Sequence, residues 1–191
     1  MNNSKDSKPF FLLLVAAILV VNATTAFGIP GQQGQTGPTG DLSVVGEVSV
    51  NGTNAISGAT VFSDSTITTK KNSSAVVSLG KLGRVEVLPE STVKLSFNGS
   101  RITVRMLDAG RVRISSSSGT GVTATTKDGE TMGDGSVKNE LVIDTRCGNT
   151  TVFVRTGRVD VRDFRLKKTI KTDSKHTVGA GKAGCTPSAQ E

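Results

Sequence analysis

Beyond residue 42, apolar residues recur at every second position. In GEVSVNG, Val48 and Val50 alternate with Glu47 and Ser49. In STVKLSFNGSRITVRM, Val93, Leu95 and Phe97 share one face. The chain turns at Asn98-Gly99, and Ile102, Val104 and Met106 resume the pattern. Successive side chains of a strand point to opposite faces, so each run reads as a strand with one side to bury. Two such runs joined through Asn-Gly predict a hairpin over 93–106. The runs AVVSLG, GRVEVLPE, GRVRIS, ELVID, TVFVRTGRVDVR and HTVGAG repeat the pattern. Turn residues separate them at Asn51-Gly52, Asp128-Gly129 and Asp134-Gly135. The polar, glycine-rich stretch 115–139 is expected to hold one short strand around 122–126 and a mobile loop. No stretch after residue 42 shows an extended 3.6-residue period. The prediction is an all-β domain, a sandwich or roll of many short, mostly antiparallel strands, with an irregular β-helix as the other arrangement.

A loose repeat, Gly-Arg/Glu-Val-x-Val/Ile, begins at Gly46, Gly83, Gly110 and Gly157. Its spacing is irregular, which excludes a fixed-period solenoid. Each copy reads as a glycine turn leading into a strand whose β-branched residues face the core.

The first 41 residues follow other rules. Lys5 and Lys8 precede an apolar run from Phe10 to Val21, and small residues follow up to Ala26. That order is the pattern of a secretory signal peptide over 1–26, with an uncleaved membrane anchor as the alternative. Residues 27–41 carry glycine at 28, 31, 34, 37 and 40, a register reminiscent of collagen. The repeat is too short for a triple helix and its other positions are mostly Gln and Thr, so it is expected to be an extended spacer. The β domain is assigned to 42–191.

Export changes how the cysteines are read. Cys147 and Cys185 are the two in the chain. In an oxidising compartment an isolated pair is expected to form a disulfide rather than a metal site. The chain has seven Phe and neither Trp nor Tyr. This argues against aromatic platforms for sugars or bases, and hence against nucleic acid as a partner. The net charge of +7 suits solubility and also attraction to anionic partners.

The run from Gly46 to Phe97, followed by LDAGRVRIS, resembles the FecR-like domain family. The shared pattern is a Gly-x-Val-x-Val opening, an I-x-T element at Ile67 to Thr69, and an A-x-V-x-L strand at Ala75, Val77 and Leu79. A turn at Pro89 to Thr92 and a closing G-x-V-x-I strand at Gly110 to Ile114 complete it. The match covers about 44–115, and 116–191 looks like a looser second half. The resemblance implies a periplasmic all-β module. In the best-known members such a domain relays a signal from an outer-membrane receptor to a sigma factor, through a substantial cytoplasmic region. Here nine residues precede Phe10, so direct sigma-factor control is not expected.

Catalytic chemistry needs convergent groups. His176 is the only histidine, and the acids are scattered among turns. No enzymatic activity, cofactor or metal is expected. The basic residues are more suggestive. Arg101 and Arg105 share one face of a predicted strand, and Arg111 and Arg113 share one face of the next. If those strands pair, the four arginines form one outward face able to bind an anionic partner. A second basic run comprises Arg162, Arg165, Lys167, Lys168 and Lys171. The alternative is a solvated face that deters edge-to-edge aggregation.

The expected function is an exported, non-enzymatic binding module of the cell envelope, acting as a sensor, adaptor or regulator. Its partner would be an envelope protein or an anionic envelope polymer. Membrane contact is expected only through an uncleaved leader. The alternative is a self-assembling envelope or matrix component. The periplasm or cell envelope is the expected location, with extracellular and inner-membrane-anchored positions as variants.

Overall fold

A computed structural model describes residues 37–187. The predicted leader and most of the Gly/Pro/Gln spacer lie outside the described residues. Within them, seventeen strands form two sheets, and the one helical element is a 3-10 turn, Gly80–Leu82.

One sheet has eight strands. In spatial order they are β4 (Thr60–Phe62), β1 (Thr39–Val45), β6 (Ser74–Ser78), β7 (Gly83–Val87), β10 (Arg111–Ser116), β13 (Asn139–Asp144), β14 (Thr150–Thr156) and β17 (Lys175–Val178). The other has nine. They run β3 (Thr53–Asn54), β2 (Val48–Val50), β5 (Ser65–Thr69), β8 (Ser91–Phe97), β9 (Arg101–Met106), β11 (Gly121–Thr125), β12 (Gly129–Gly133), β15 (Val159–Asp163) and β16 (Lys168–Thr172). This is the expected all-β sandwich. All pairings are antiparallel except β9 with β11, which run side by side because β10 carries the chain back through the opposite sheet.

The apolar positions that alternate along the sequence meet between the sheets. Leu42, Val77, Val85, Ile114, Leu141 and Ile143 from the first sheet oppose Ile67, Val93, Leu95, Ile102, Val104 and Val122 from the second, all fully or almost fully buried. The outward faces are mostly polar, but the first sheet carries a buried apolar pair. Val142 and Phe153 pair across strands on the outward side of the first sheet and are both buried. The ammonium of Lys175 sits 5.3 Å from the Phe153 ring centroid, which suits the negative face of the ring.

The β8–β9 hairpin has the expected register, pairing Val93 with Met106, Leu95 with Val104 and Phe97 with Ile102. Its turn is looser than Asn-Gly suggests. Neither Asn98 nor Gly99 has positive φ, and Asn98 Oδ1 instead accepts from the Ser100 N–H at 3.0 Å. The 115–139 stretch carries two strands, β11 and β12, rather than one. The first strand also begins at Thr39, within the stretch read as spacer.

Three of the four repeat glycines stand where the chain crosses between sheets: Gly46 (β1 to β2), Gly110 (β9 to β10) and Gly157 (β14 to β15). The fourth, Gly83, starts β7 after the 3-10 turn, with φ 130° and ψ −144°. A β-carbon there would collide with the backbone carbonyl oxygen of Ser115 on the neighbouring strand. That backbone region is essentially glycine-only. Gly83→Ala is therefore expected to destabilise the domain by about 2 kcal/mol. Urea unfolding checks this, and an unchanged midpoint would contradict it.

The strands run between two ends. At the upper end lie the connections 106–111, 125–129, 144–150 and 163–168; at the lower end lie 97–101, 116–121, 133–139 and 156–159.

Candidate functional site

The four predicted arginines do not share a face. β9 pairs with β8 and β11, whereas β10 pairs with β7 and β13 in the other sheet. The connection at 107–110 is a crossing between layers rather than a hairpin turn. Arg101 and Arg105 thus face out from the second sheet, and Arg111 and Arg113 from the first.

On the first sheet the pair is tied into the fold. Arg113 Nη1 lies 2.8 Å from Glu86 Oε2, its direct cross-strand neighbour. Arg111 is only 2% exposed, and its Nε lies 3.9 Å from Asp144 Oδ2, again directly across strands. Asp144 is 1% exposed and also accepts from Arg146, whose Nε reaches Oδ1 at 3.1 Å and Nη2 reaches Oδ2 at 2.7 Å. These charges face each other rather than an incoming ligand.

On the second sheet Arg105 is exposed beside Lys94, two like charges directly opposite each other. Lys94 also lies 3.7 Å from Asp64. Arg101 is placed differently. It opens β9 at the lower end, opposite Gly121 of the parallel strand β11. Its Nη1 donates to Thr123 Oγ1 at 3.1 Å. A β-carbon on Gly121 would come within 3.2 Å of the guanidinium, so the missing side chain lets Arg101 lie across β11.

Arg101 borders an open groove of about 820 Å³. Three more cations line it from separate parts of the chain: Lys138 before β13, Arg158 before β15 and Lys171 on β16. The acids on its wall are Asp134 and Asp160. Asp160 pairs across strands with Lys171. Asp134 accepts from the Ser136 N–H at 2.9 Å and the Ser136 hydroxyl at 2.7 Å. The Ser136 backbone bond, reinforced by the hydroxyl, holds the Asp134 carboxyl below the usual aspartate range. Asp134 is thus committed to its own turn. Fully buried Asn139 braces that turn from inside, donating to the carbonyls of Asp134 at 2.6 Å and Val137 at 3.0 Å. The result is a fixed, mainly cationic wall with apolar points at Met132 and Val137.

The sequence reading included Arg101 and, in the second basic run, Lys171. It missed Lys138 and Arg158. The signal for Arg158 was present, since it follows the repeat glycine Gly157 at a crossing between sheets.

The disulfide is present: Cys147, in the β13–β14 connection, is bonded to Cys185 in the C-terminal tail, with Cα atoms 5.5 Å apart. It is compatible with an oxidising, exported location. His176 lies on β17 opposite Val152. Among the described residues no group of three or more His, Cys, Asp or Glu is placed to hold a metal ion, and no helix is long and apolar enough to cross a membrane. Neither models of known protein families nor curated proteins match this chain.

Proposed function

We propose that the chain is an exported, FecR-like binding module without catalytic function, serving in the cell envelope as a sensor, adaptor or regulator. It engages an acidic envelope protein or anionic envelope polymer through the Arg101 groove. The observation that carries this reading is the convergence of Arg101, Lys138, Arg158 and Lys171 on one groove with a braced wall. Preorganised charges select a complementary surface and speed encounter more than they add raw affinity. The oxidised Cys147–Cys185 pair supports export, and the strand and turn pattern over 44–115 supports the family resemblance.

The test is crosslinking in the native envelope from a photoreactive residue at Val137, inside the groove. A captured partner should be lost, or bound about 10- to 100-fold more weakly, when all four cations become serine. Each exposed charge contributes at most about 1 kcal/mol. The binding should also weaken as salt rises. Capture that is unaffected by the fourfold variant and by salt would sink the proposal.

A second reading, self-assembly, has its own observation. Among the described residues both sheets end in free edges, β4 and β17 in one and β3 and β16 in the other. Lys168, Lys171 and Lys175 on β16 and β17 oppose that pairing. A concentration-dependent polymer of the purified chain would favour assembly over the groove.

A further inference from the structure

The second basic run contains a feature that the groove does not use. Residues 162–168, RDFRLKK, form the upper-end turn between β15 and β16. The backbone of this turn is fixed. Asp163 is buried, and its Oδ1 accepts from the N–H groups of Arg165 and Leu166, both at 2.8 Å. These backbone bonds, that of Leu166 foremost, hold the Asp163 carboxyl below the usual aspartate range against the opposing effect of burial. Lys167 takes a left-handed conformation, with φ 52°. The Phe164 N–H donates to Asp128 O at 3.0 Å, fastening this turn to the one between β11 and β12.

A turn so well braced nonetheless turns its two large apolar side chains to solvent. Phe164 is 42% exposed and Leu166 is 58% exposed. Arg162, Arg165, Lys167 and Lys168 surround them, all exposed. None of these four is within ion-pair distance of an acidic side chain among the described residues. The carboxylate inside the turn, Asp163, is buried, and the neighbouring Asp128 is paired with Lys127 at 2.8 Å.

Leu107, 47% exposed, lies at the same end on the β9–β10 crossing, with Asp108 exposed beside it. Three strand spacings separate β9 from β15 in the second sheet, about 14 Å. Leu107 is thus a separate apolar point on the same end, away from the paired Phe164 and Leu166.

We propose that this turn docks on the surface of an anionic lipid bilayer. Phe164 and Leu166 enter the boundary between headgroups and acyl chains, and the four cations meet lipid phosphates. The charges alone would suit any polyanion. The apolar pair decides between them, because a soluble polyanion offers nothing to bury Phe and Leu, whereas a bilayer offers both at the spacing of one residue. A second copy docked symmetrically on the same turn would bring the two sets of cations together, which is unfavourable.

The chain has no Trp, so Phe164→Trp in the full-length protein creates a single reporter at the tip. Gly99→Trp provides a control at the opposite end of the sandwich, in the 97–101 connection, where an added side chain meets open space and does not line the groove. With vesicles of phosphatidylglycerol and phosphatidylcholine, the tip reporter should shift to the blue and be quenched by brominated acyl chains. The control reporter should do neither. Replacing Arg165, Lys167 and Lys168 with serine in the reporter background should weaken this response about a hundredfold. Each cation near an anionic surface contributes about 1 kcal/mol. The proposal is overturned by any of four results. These are no response at the tip, an equal response at both reporters, an equal response to pure phosphatidylcholine, or an equal response to soluble polyglutamate. A blue shift that rises with protein concentration in the absence of lipid would assign the tip to self-association instead.

Discussion

Asp144→Ala should destabilise the domain by about 3–5 kcal/mol, the range for removing one partner of a buried ion pair. The carboxylate is 1% exposed and faces Arg111, which is 2% exposed, across the β10–β13 pairing. It also takes four hydrogen bonds from Arg146, one from the backbone N–H at 3.0 Å and three from the guanidinium. Alanine deletes the negative charge and leaves the Arg111 guanidinium buried without it. Asp144→Asn, which keeps acceptor capacity but not charge, should fall between wild type and alanine. The companion variant is Arg111→Met with Asp144→Leu. Replacing both charges by apolar groups of similar size removes the desolvation cost along with the attraction, so the double variant should recover most of the loss. Urea denaturation of the three variants checks the order. A loss under 1 kcal/mol for Asp144→Ala would show that the charges at 111 and 144 are not coupled through the fold.

Removing the disulfide should have the second large effect. Cys147 and Cys185 are 38 residues apart, and the chain-entropy estimate for a loop of that length is about 4 kcal/mol. Residual structure in the reduced chain lessens the entropy that the bond removes, so the Cys147→Ser, Cys185→Ser variant should lose about 2–4 kcal/mol. The loss should be uneven. Among the described residues β17 is an edge strand paired with β14 alone, over Thr150 to Phe153, and anchored in the core by Val178. Beyond it the tail is fastened by the disulfide and by the Lys182 N–H donating to Cys147 O at 2.8 Å. Amide exchange should therefore accelerate first at 175–185, before the central strands respond. Identical unfolding midpoints for oxidised wild type and the serine variant would contradict the expectation.

Much of the fold was legible because period-two alternation reports burial directly. Val93 through Met106 reads as a hairpin, and its register in the structure is the one the apolar positions require. Alternation does not report which sheet a strand joins. Val112 and Ile114 would face inward equally well in a hairpin with β9 or across the sandwich from it. That ambiguity let four arginines look like one face. Only the layer assignment separates Arg101, beside an open groove, from Arg111, buried against Asp144. β16 was hidden for a different reason. In KTIKT the single apolar residue, Ile170, is only half-buried, so an edge strand at the end of the core leaves almost no pattern. The groove was harder still, because Lys138 and Arg158 become neighbours only through the lower-end turns at 133–139 and 156–159.

The strand order also governs how the molecule can be built. Along both sheets each newly made strand is laid at an edge of those already present, and none has to be inserted between two existing partners. The sandwich can therefore grow in the order of synthesis, with each strand after β5 added at one advancing margin. Growth of this kind needs a stop. The last two strands supply it, with Lys168, Lys171 and Lys175 discouraging another strand from adding to the margin. The Cys147–Cys185 bond then fastens the tail that follows β17 to a turn already in place.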